Sequence, residues 1–470
     1  LNPYLQKVKA ERCRNSFHYF FREFWSVIEP ETLVENWHIK YLCDELQNVA
    51  KRVFDREPKN HDLIINIPPG STKSSIATVM FPVWCWINDL AIRTISSSYS
   101  NSLSIDHAVK SRDILQSDKF KSMFDVRLRD DQSAKSQYKN TEGGERIATS
   151  TGGTITGKHG HFIIVDDPVN PQEAVSDVKR KNANDHIDNT LNTRKVDKEV
   201  SVTILIMQRL HEDDPTGHLL QKSSEVKHIC LPGELSDNVS PEHLKEKYEN
   251  GLLDPRRLSR QVLDDLKIDL GSYGYSGQIQ QSPSPEGGGI WQKWFIPVAD
   301  KDFNQLISSL TDYGTDWDTA YTEKESNSAS AFVTAGRKGK DIYIDMIGYD
   351  FREFPDLIKY MKGQVSPHYI EKKATGKSAK QTLTNEGINA IEVDVKGGDK
   401  VARARMATPT AEAGRVYIRQ SQINLLYYDD KQGILKFPNA SHDDLADALS
   451  QSIQRLTNTR KPLQARMGNF

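Results

Sequence analysis

Two groups of chemistry-bearing residues, one in each half of the 470-residue chain, constrain its fold more than any other feature. In the first half the apolar run Leu63–Ile67 enters Pro68-Pro69-Gly70-Ser71-Thr72-Lys73-Ser74-Ser75, and the later apolar run Phe162–Val165 ends in Asp166, Asp167 and Pro168. The second half holds Asp316 and Asp318, then Glu371 after Tyr369-Ile370, then His442-Asp443-Asp444-Leu445-Ala446-Asp447. A strand that runs into a Gly/Ser-rich turn with Lys-Ser at a helix start cradles phosphates, because backbone N–H groups and the helix N-terminus supply positive potential. Carboxylates that converge from separate strands place two divalent metals. A chain of 470 residues exceeds one ordinary core, so two or three domains are expected.

Formal net charge is −2, so contact with nucleic acid must come from a local patch and not from a global field. Cys13, Cys43, Cys85 and Cys230 lie far apart with no C-x-x-C, which argues against a zinc site or disulfide framework and for a reducing compartment. The apolar run Val79–Ile87 contains Pro82 and is too short to span a bilayer. The first residues lack the apolar segment of a signal peptide. The expectation is a soluble intracellular protein with no membrane partner.

The texture of the chain predicts an α/β protein. Residues 1–58 read as aromatic-rich amphipathic helices, with Phe17, Phe20, Phe21, Phe24 and Trp25. Residues 59–225 carry short apolar runs bounded by turns (Leu63–Ile67, Ala91–Ser96, Phe162–Val165, Val202–Met207), which suit the buried strands of a parallel sheet. Residues 172–200 read as an exposed helix followed by a turn. Residues 226–290 form a linker or lid ending in the turn-rich Gln280–Gly289. A second α/β pattern covers 291–457, with strands near 310–316, 330–335, 342–348, 369–371 and 390–395 and helices near 353–362, 378–386 and 442–456. The basic segment 458–470 reads as a flexible tail.

At the first group, Lys73 would reach the β- and γ-phosphates of ATP and Ser74 would ligate Mg²⁺. The standard phosphate loop wants glycine where this chain has Ile67 and Thr72. Asp166 would hold Mg²⁺ and Asp167 would polarise the attacking water. Trp37 and His38, with Tyr41, are candidates for stacking or hydrogen-bonding adenine. Gln208 and Arg209, at the end of Thr203–Met207, are candidates for sensing the γ-phosphate. A cation from a neighbouring subunit often completes such sites, and Arg112, Arg146 and Lys158 are the candidates.

At the second group Asp316 and Asp318, two residues apart, share one strand face, and either can be the first ligand of a Mg²⁺ or Mn²⁺ pair. Asp443 and Asp447 are four apart, and Asp444 and Asp447 three apart, so each pair shares a helix face. Acids are also favoured at helix starts for their own sake. Lys396, Lys400, Arg403, Arg405 and Arg415 form a basic stretch that would neutralise DNA phosphates, or else an ordinary solvated surface.

In this order the residues resemble the large terminase subunit of tailed bacteriophages. Pro68–Ser74 resembles that family's divergent phosphate loop, and Thr156–Pro168 its acidic strand with a following proline. Gln208–Leu219 resembles its coupling segment, an Arg-x-His-x-x-Asp pattern, and Gly277–Gly288 the linker before its nuclease. The resemblance implies an N-terminal P-loop ATPase domain of the ASCE type and a C-terminal RNase H-like nuclease. It implies ATP-driven movement of double-stranded DNA through the portal protein into a procapsid and metal-dependent cutting of concatemers. It also implies a small terminase subunit as partner, a ring on the portal, pentameric by expectation, and work in the host cytoplasm. Asp318-Thr-Ala and Glu371-Lys-Lys-Ala-Thr-Gly resemble the family's first two nuclease motifs, which favours Asp318 over Asp316 and gives Asp318, Glu371 and Asp444 catalytic roles. Two departures are Lys158, where the family often has arginine, and Asn327-Ser328, where it usually has an acid. Competing readings are a nuclease-fused helicase or translocase, for which residues 220–290 are too short and turn-rich to supply a second lobe, and a scaffold that has lost its chemistry.

Overall fold

The apolar runs become strands because they are bounded by turns and flanked by helices that cover both sheet faces. The computed structural model describes residues 3–222, 225–283, 290–319, 329–372, 374–394, 399–429, 431–438 and 442–457. Asn327, Ser328, Lys396, most of the Pro/Gly linker and the basic tail lie outside the described residues. The chain divides into two units, Leu1–Lys267 with Ser272–Pro285, and Ile268–Gly271 with Glu286–Phe470.

The first unit opens with the expected helices, Pro3–Asn15, Phe17–Ile28 and Trp37–Phe54. Its strands are β1 (Asp62–Asn66), β2 (Arg93–Ser98), β3 (Leu128–Ala134), β4 (Gln137–Asn140), β5 (Glu145–Ser150), β6 (Phe162–Asp166), β7 (Val202–Met207) and β8 (Val226–Cys230). They form one sheet in the order β3-β4-β5-β2-β6-β7-β1-β8. From β5 to β8 every pairing is parallel, and β3 and β4 add an antiparallel edge. One face packs on the N-terminal helices through Phe17, Phe20, Leu42 and Leu46 against Leu63, Ile65 and Ile204. Ile64, Ile163, Val165 and Leu205 cover the other face.

Two expectations change here. The core does not stop at residue 225, since β8 pairs along β1 as part of the sheet. Nor is 172–200 an exposed helix and turn. The helix Asp177–Asp185 continues into the π-wound His186–Leu191, and Ala183, Ile187 and Leu191, four apart, are buried against the sheet. The surrounding charge hides a short apolar stripe of helical period.

The second unit has β9 (Ile296–Val298), β10 (Thr311–Asp318), β11 (Ser330–Lys338), β12 (Asp341–Asp350), β13 (His368–Glu371), β14 (Ala390–Val393) and β15 (Val416–Arg419), in the order β14-β13-β10-β11-β12-β15-β9. β10, β11 and β12 pair antiparallel, while β13 runs parallel to β10. Trp317, Phe332 and Ile370 pack on Leu357, Ile358 and Met361 of the helix Phe354–Lys362. Ala331, Val333 and Ile344 face the opposite layer, where Leu445, Ala448 and Leu449 of the helix Asp444–Thr457 meet Ala404 and Ala407 of the helix Lys400–Glu412. The last of these helices is absent from the sequence reading, which took its first turn for a surface basic stretch.

Candidate ATPase and nuclease sites

In the first unit the two carboxylates and the loop meet because β6 and β1 are parallel, with β7 between them, so that their C-terminal ends share one edge of the sheet. β1 ends at Asn66, and the loop turns through Gly70 (φ 75°) and Thr72 (φ 68°) into the helical run that holds Ser75–Met80. Thr72 therefore takes the left-handed conformation for which the standard pattern uses glycine, at a steric cost for a β-branched residue. Two contacts hold the turn around it. Ser71 Oγ donates to the Pro68 carbonyl at 2.7 Å, and Arg257 Nη1 donates to Thr72 Oγ1 at 2.8 Å. His38 Nε2 lies 3.1 Å from the Ser71 carbonyl, and burial lowers the His38 pKa to about 4, so the ring is neutral and donates through Nε2.

The acids are held by the helix that follows the loop. Ser74 Oγ donates to Asp166 Oδ1 at 3.0 Å and Thr78 Oγ1 to Asp166 Oδ2 at 2.6 Å. Lys73 Nζ pairs with Asp167 Oδ2 at 3.1 Å, and the Gln208 backbone N–H reaches Asp167 Oδ1 at 3.3 Å. Burial raises the pKa of both aspartates, while Thr78, Lys73 and Ser74 hold Asp166 down and Lys73 holds Asp167 down. His107 Nδ1 lies 3.6 Å from Asp166 Oδ2 and is neutral, its pKa lowered to about 4 first by burial and then by Arg146.

Several candidates sit elsewhere than expected. Arg146 is 1% exposed and lies beneath the site, donating to Ser96 Oγ at 2.5 Å and the Thr78 carbonyl at 2.8 Å. A buried guanidinium cannot reach a neighbouring subunit, so Arg146 leaves the set of trans cations, and half-buried Arg112 and Lys158 remain in it. Lys158 is engaged with Glu145 at 3.2 Å. Arg209 is committed to the buried Asp214 through Nε at 3.1 and 3.0 Å, and to the carbonyls of His211 and Glu212. Asp214 in turn accepts from the N–H groups of Leu210 and Gly217, which closes the Arg-x-His-x-x-Asp segment into a helix cap ahead of Pro215–Lys222. The Arg209 backbone N–H bonds Gln281 Oε1 at 2.9 Å. Trp37 packs its ring on Tyr248 at 5.8 Å. Ser75 starts the helical run and Pro69 precedes the turn. Arg257 was missed, because nothing in its sequence neighbourhood marks it as near residue 72.

In the second unit β10 and β13 are parallel neighbours, so Asp318 and Glu371 end at one edge of the sheet. The first turn of the helix Asp444–Thr457 brings Asp447 to them, and carboxylate oxygens of Asp318, Glu371 and Asp447 lie within 4.8 Å of one another. Asp316, on the same strand face, is fully buried and bound by Arg455, with Nη2 at 2.7 Å and Nε at 3.0 Å, and by Gln451 Nε2 at 3.2 Å. The geometry thus separates the two acids of β10, leaving Asp318 at the cluster and Asp316 in an ion pair. Asp444 accepts from Gln432 Nε2 at 2.8 Å. Of the three acids expected here as metal ligands, Asp443, Asp444 and Asp447, it is Asp447 that groups with Asp318 and Glu371.

The basic stretch has a different place from the one expected. Lys400 Nζ is 2.6 Å from Asp443, 3.6 Å from Asp318 and 3.7 Å from Asp444. Arg403 spans Glu371, at 2.9 Å, and Asp447, at 3.0 Å. Burial alone would lower the pKa of both cations, but Asp318 and Asp443 raise that of Lys400, and Asp447 and Glu371 raise that of Arg403. Arg415 donates to the Lys340 carbonyl at 2.8 Å. Half-buried Lys400 and buried Arg403 are therefore internal partners of the acid cluster. No helix of the described residues is long and apolar enough to cross a membrane.

Residues 316–456 match the model of the terminase RNase H-like domain. No curated protein matches the chain in sequence. Among solved structures the chain is similar to the large terminase of a thermophilic bacteriophage in complex with ADP, at 11% identity over 80% of this chain and 88% of that one, with a TM-score of 0.45. It is similar to the bacteriophage HK97 large terminase at 12% identity over 87% and 94%, with a TM-score of 0.34. Residues of the second half are similar to the large terminase nuclease of thermophilic phage G20c with bound magnesium, at 14% identity over 36% and 99%, with a TM-score of 0.25. These likenesses are weak, and the assignment rests on the family match. The second unit, with Asp318, Glu371 and Asp447 at one edge of its sheet, is a terminase RNase H-like domain, in agreement with the resemblance of the chain's motifs to the large terminase subunit.

Proposed function

We propose that the chain is the large subunit of a phage terminase, an ATPase that moves double-stranded DNA through a portal into a procapsid and a metal-dependent endonuclease that cuts the concatemer. The observation that carries this reading is the presence of both sites in one chain, Lys73 and Ser74 against Asp167 and Asp166 in the first unit, and the convergent Asp318, Glu371 and Asp447 in the family-matched second unit.

In the first unit the Gly70–Ser75 backbone would cradle the triphosphate, with Lys73 neutralising the β- and γ-oxygens. The donor set fits Mg²⁺, since the Ser74 hydroxyl and the Asp166 carboxylate are hard oxygen ligands already 3.0 Å apart. Asp167, tied to the tip of β7 by the Gln208 N–H, is placed to orient a water. Arg257 steadies the Thr72 turn and adds a cation beside the loop. His38 braces the loop through the Ser71 carbonyl, and Trp37 and Tyr41 remain candidates for the base.

In the second unit three carboxylates fit Mg²⁺ or Mn²⁺, and a bound metal pair would activate water and stabilise the leaving oxygen of the DNA backbone. Asp318 and Glu371 are held by strands, and Asp447 by a buried helix. A motor that moves any sequence is expected to contact backbone and not bases. Work on a portal, with a small terminase subunit and as a ring of several copies in the host cytoplasm, belongs to the same proposal. The deciding experiment is plasmid cleavage by the purified chain with Mg²⁺ or Mn²⁺ beside Glu371→Ala, together with ATP turnover beside Lys73→Ala. Cleavage lost only in the first variant and turnover lost only in the second supports the reading. Cleavage that persists in Glu371→Ala refutes the nuclease half.

A further inference from the structure

Lys400 and Arg403 occupy a position that helix energetics do not explain. They lie in the first turn of Lys400–Glu412, where the helix dipole disfavours cations, and the acid at that end, the N-cap Asp399, is bonded to the Ala402 N–H at 2.8 Å. Three residues apart, they share one face, and that face meets the acid cluster. Arg403 is 9% exposed and its guanidinium spans two of the three converging carboxylates, with Nη2 on Glu371 and Nη1 on both oxygens of Asp447. Lys400 spans the third, Asp318, together with Asp443 and Asp444.

We propose that Arg403, assisted by Lys400, is a built-in counter-ion of the acids that would hold the divalent metal, Asp318, Glu371 and Asp447, so that metal entry and release of these ion pairs are one exchange. The inference rests on the nuclease reading and adds a regulatory element to it. Acids brought this close repel one another without a cation, and an internal cation keeps them together in the metal-free protein. The same cation must be displaced before the acids take up a metal, so affinity for the metal is set lower than three converged carboxylates would give alone. Anything that draws Arg403 or Lys400 away, such as a DNA phosphate at the site, would then raise metal affinity.

The test is Mn²⁺ binding to the full chain, measured by the loss of the free-ion electron paramagnetic resonance signal, with melting followed in parallel. Arg403→Gln is expected to bind Mn²⁺ about tenfold more tightly than the wild type, to melt earlier without metal, and to recover with Mn²⁺. Arg403→Lys is expected to fall between the two. Equal or weaker Mn²⁺ binding by folded Arg403→Gln overturns the exchange. Should that variant fail to fold without metal, Lys400→Met gives the same comparison at Asp318 and Asp443, and unchanged binding there overturns the proposal. Asp447→Asn separates the levels. If it leaves Mn²⁺ binding untouched, the metal does not sit at this cluster and the nuclease reading itself fails, whereas weakened binding with no gain in Arg403→Gln rejects the counter-ion alone.

Discussion

The two units handle buried carboxylates in opposite ways. At the ATPase site of the first, Asp166 is satisfied by two neutral hydroxyls, and of the two site acids Asp167 alone pairs with a cation, Lys73. In the second, Asp316, Asp318, Glu371, Asp443 and Asp447 are all met by Lys400, Arg403 or Arg455. The difference follows from what each site must hold. A triphosphate brings its own negative charge, so a surplus of cation near the loop serves it, and hydroxyls on Asp166 leave the carboxylate free to share a metal. A metal pair brings positive charge to a cluster that would otherwise repel itself, so the protein supplies removable cations. The first site is prepared for its ligand, and the second is closed by its own side chains until a stronger cation arrives.

The largest expected effects would break this comparison outright if they failed. Lys73→Ala should reduce ATP turnover by more than about 100-fold while sparing metal-dependent cutting, and Asp318→Asn should do the reverse. Loss of both activities in either variant would show that the sites are not independent. Asp316→Asn should retain Mn²⁺ binding, which would confirm that the two acids of β10 have parted roles.

A smaller effect concerns stability. Arg455→Ala leaves fully buried Asp316 without its guanidinium and should destabilise the second unit by about 3–5 kcal/mol, read as an earlier melting transition. The double change Arg455→Met with Asp316→Leu should recover most of the loss. In the first unit the matching change, Asp167→Asn, strands buried Lys73 without its carboxylate and should lower the melting temperature of the nucleotide-free protein while ending ATP turnover.

Arg257→Ala should weaken ATP binding several-fold by loosening the Thr72 turn, measured with a fluorescent nucleotide. The units also differ in acid sensitivity. His38, His107, His161 and His228 of the first unit all have pKa values lowered to about 4 by burial, against His368 in the second. The unfolded chain takes up these protons near pH 6.5 and the folded chain only near 4. Stability present above 6.5 is therefore lost as pH falls through that window, and the first unit should lose nucleotide binding before the second unit melts. Similar losses in both would remove that asymmetry.

Most of the strands were legible because apolar runs such as Phe162–Val165 are continuous where both sheet faces are covered. The phosphate loop, Asp166, Asp167 and Glu371 were legible because each follows an apolar run, and Asp318 because Asp318-Thr-Ala resembles a terminase nuclease motif. The stripe Ala183, Ile187 and Leu191 was not, since charge on the exposed face dilutes a three-residue apolar signal. Sequence by itself determined which elements exist, which residues end the strands, and that two acid-bearing sheets share one chain, because side-chain period and turn chemistry are local properties. Only the tertiary structure decided the partners. It set Arg257 on Thr72, buried Arg146 under the ATPase site, gave Asp316 to Arg455, and turned Lys400 and Arg403 into the acid cluster. A charge on a strand or helix has the same local pattern whether it faces water or a carboxylate from far along the chain, and packing alone brings the two together.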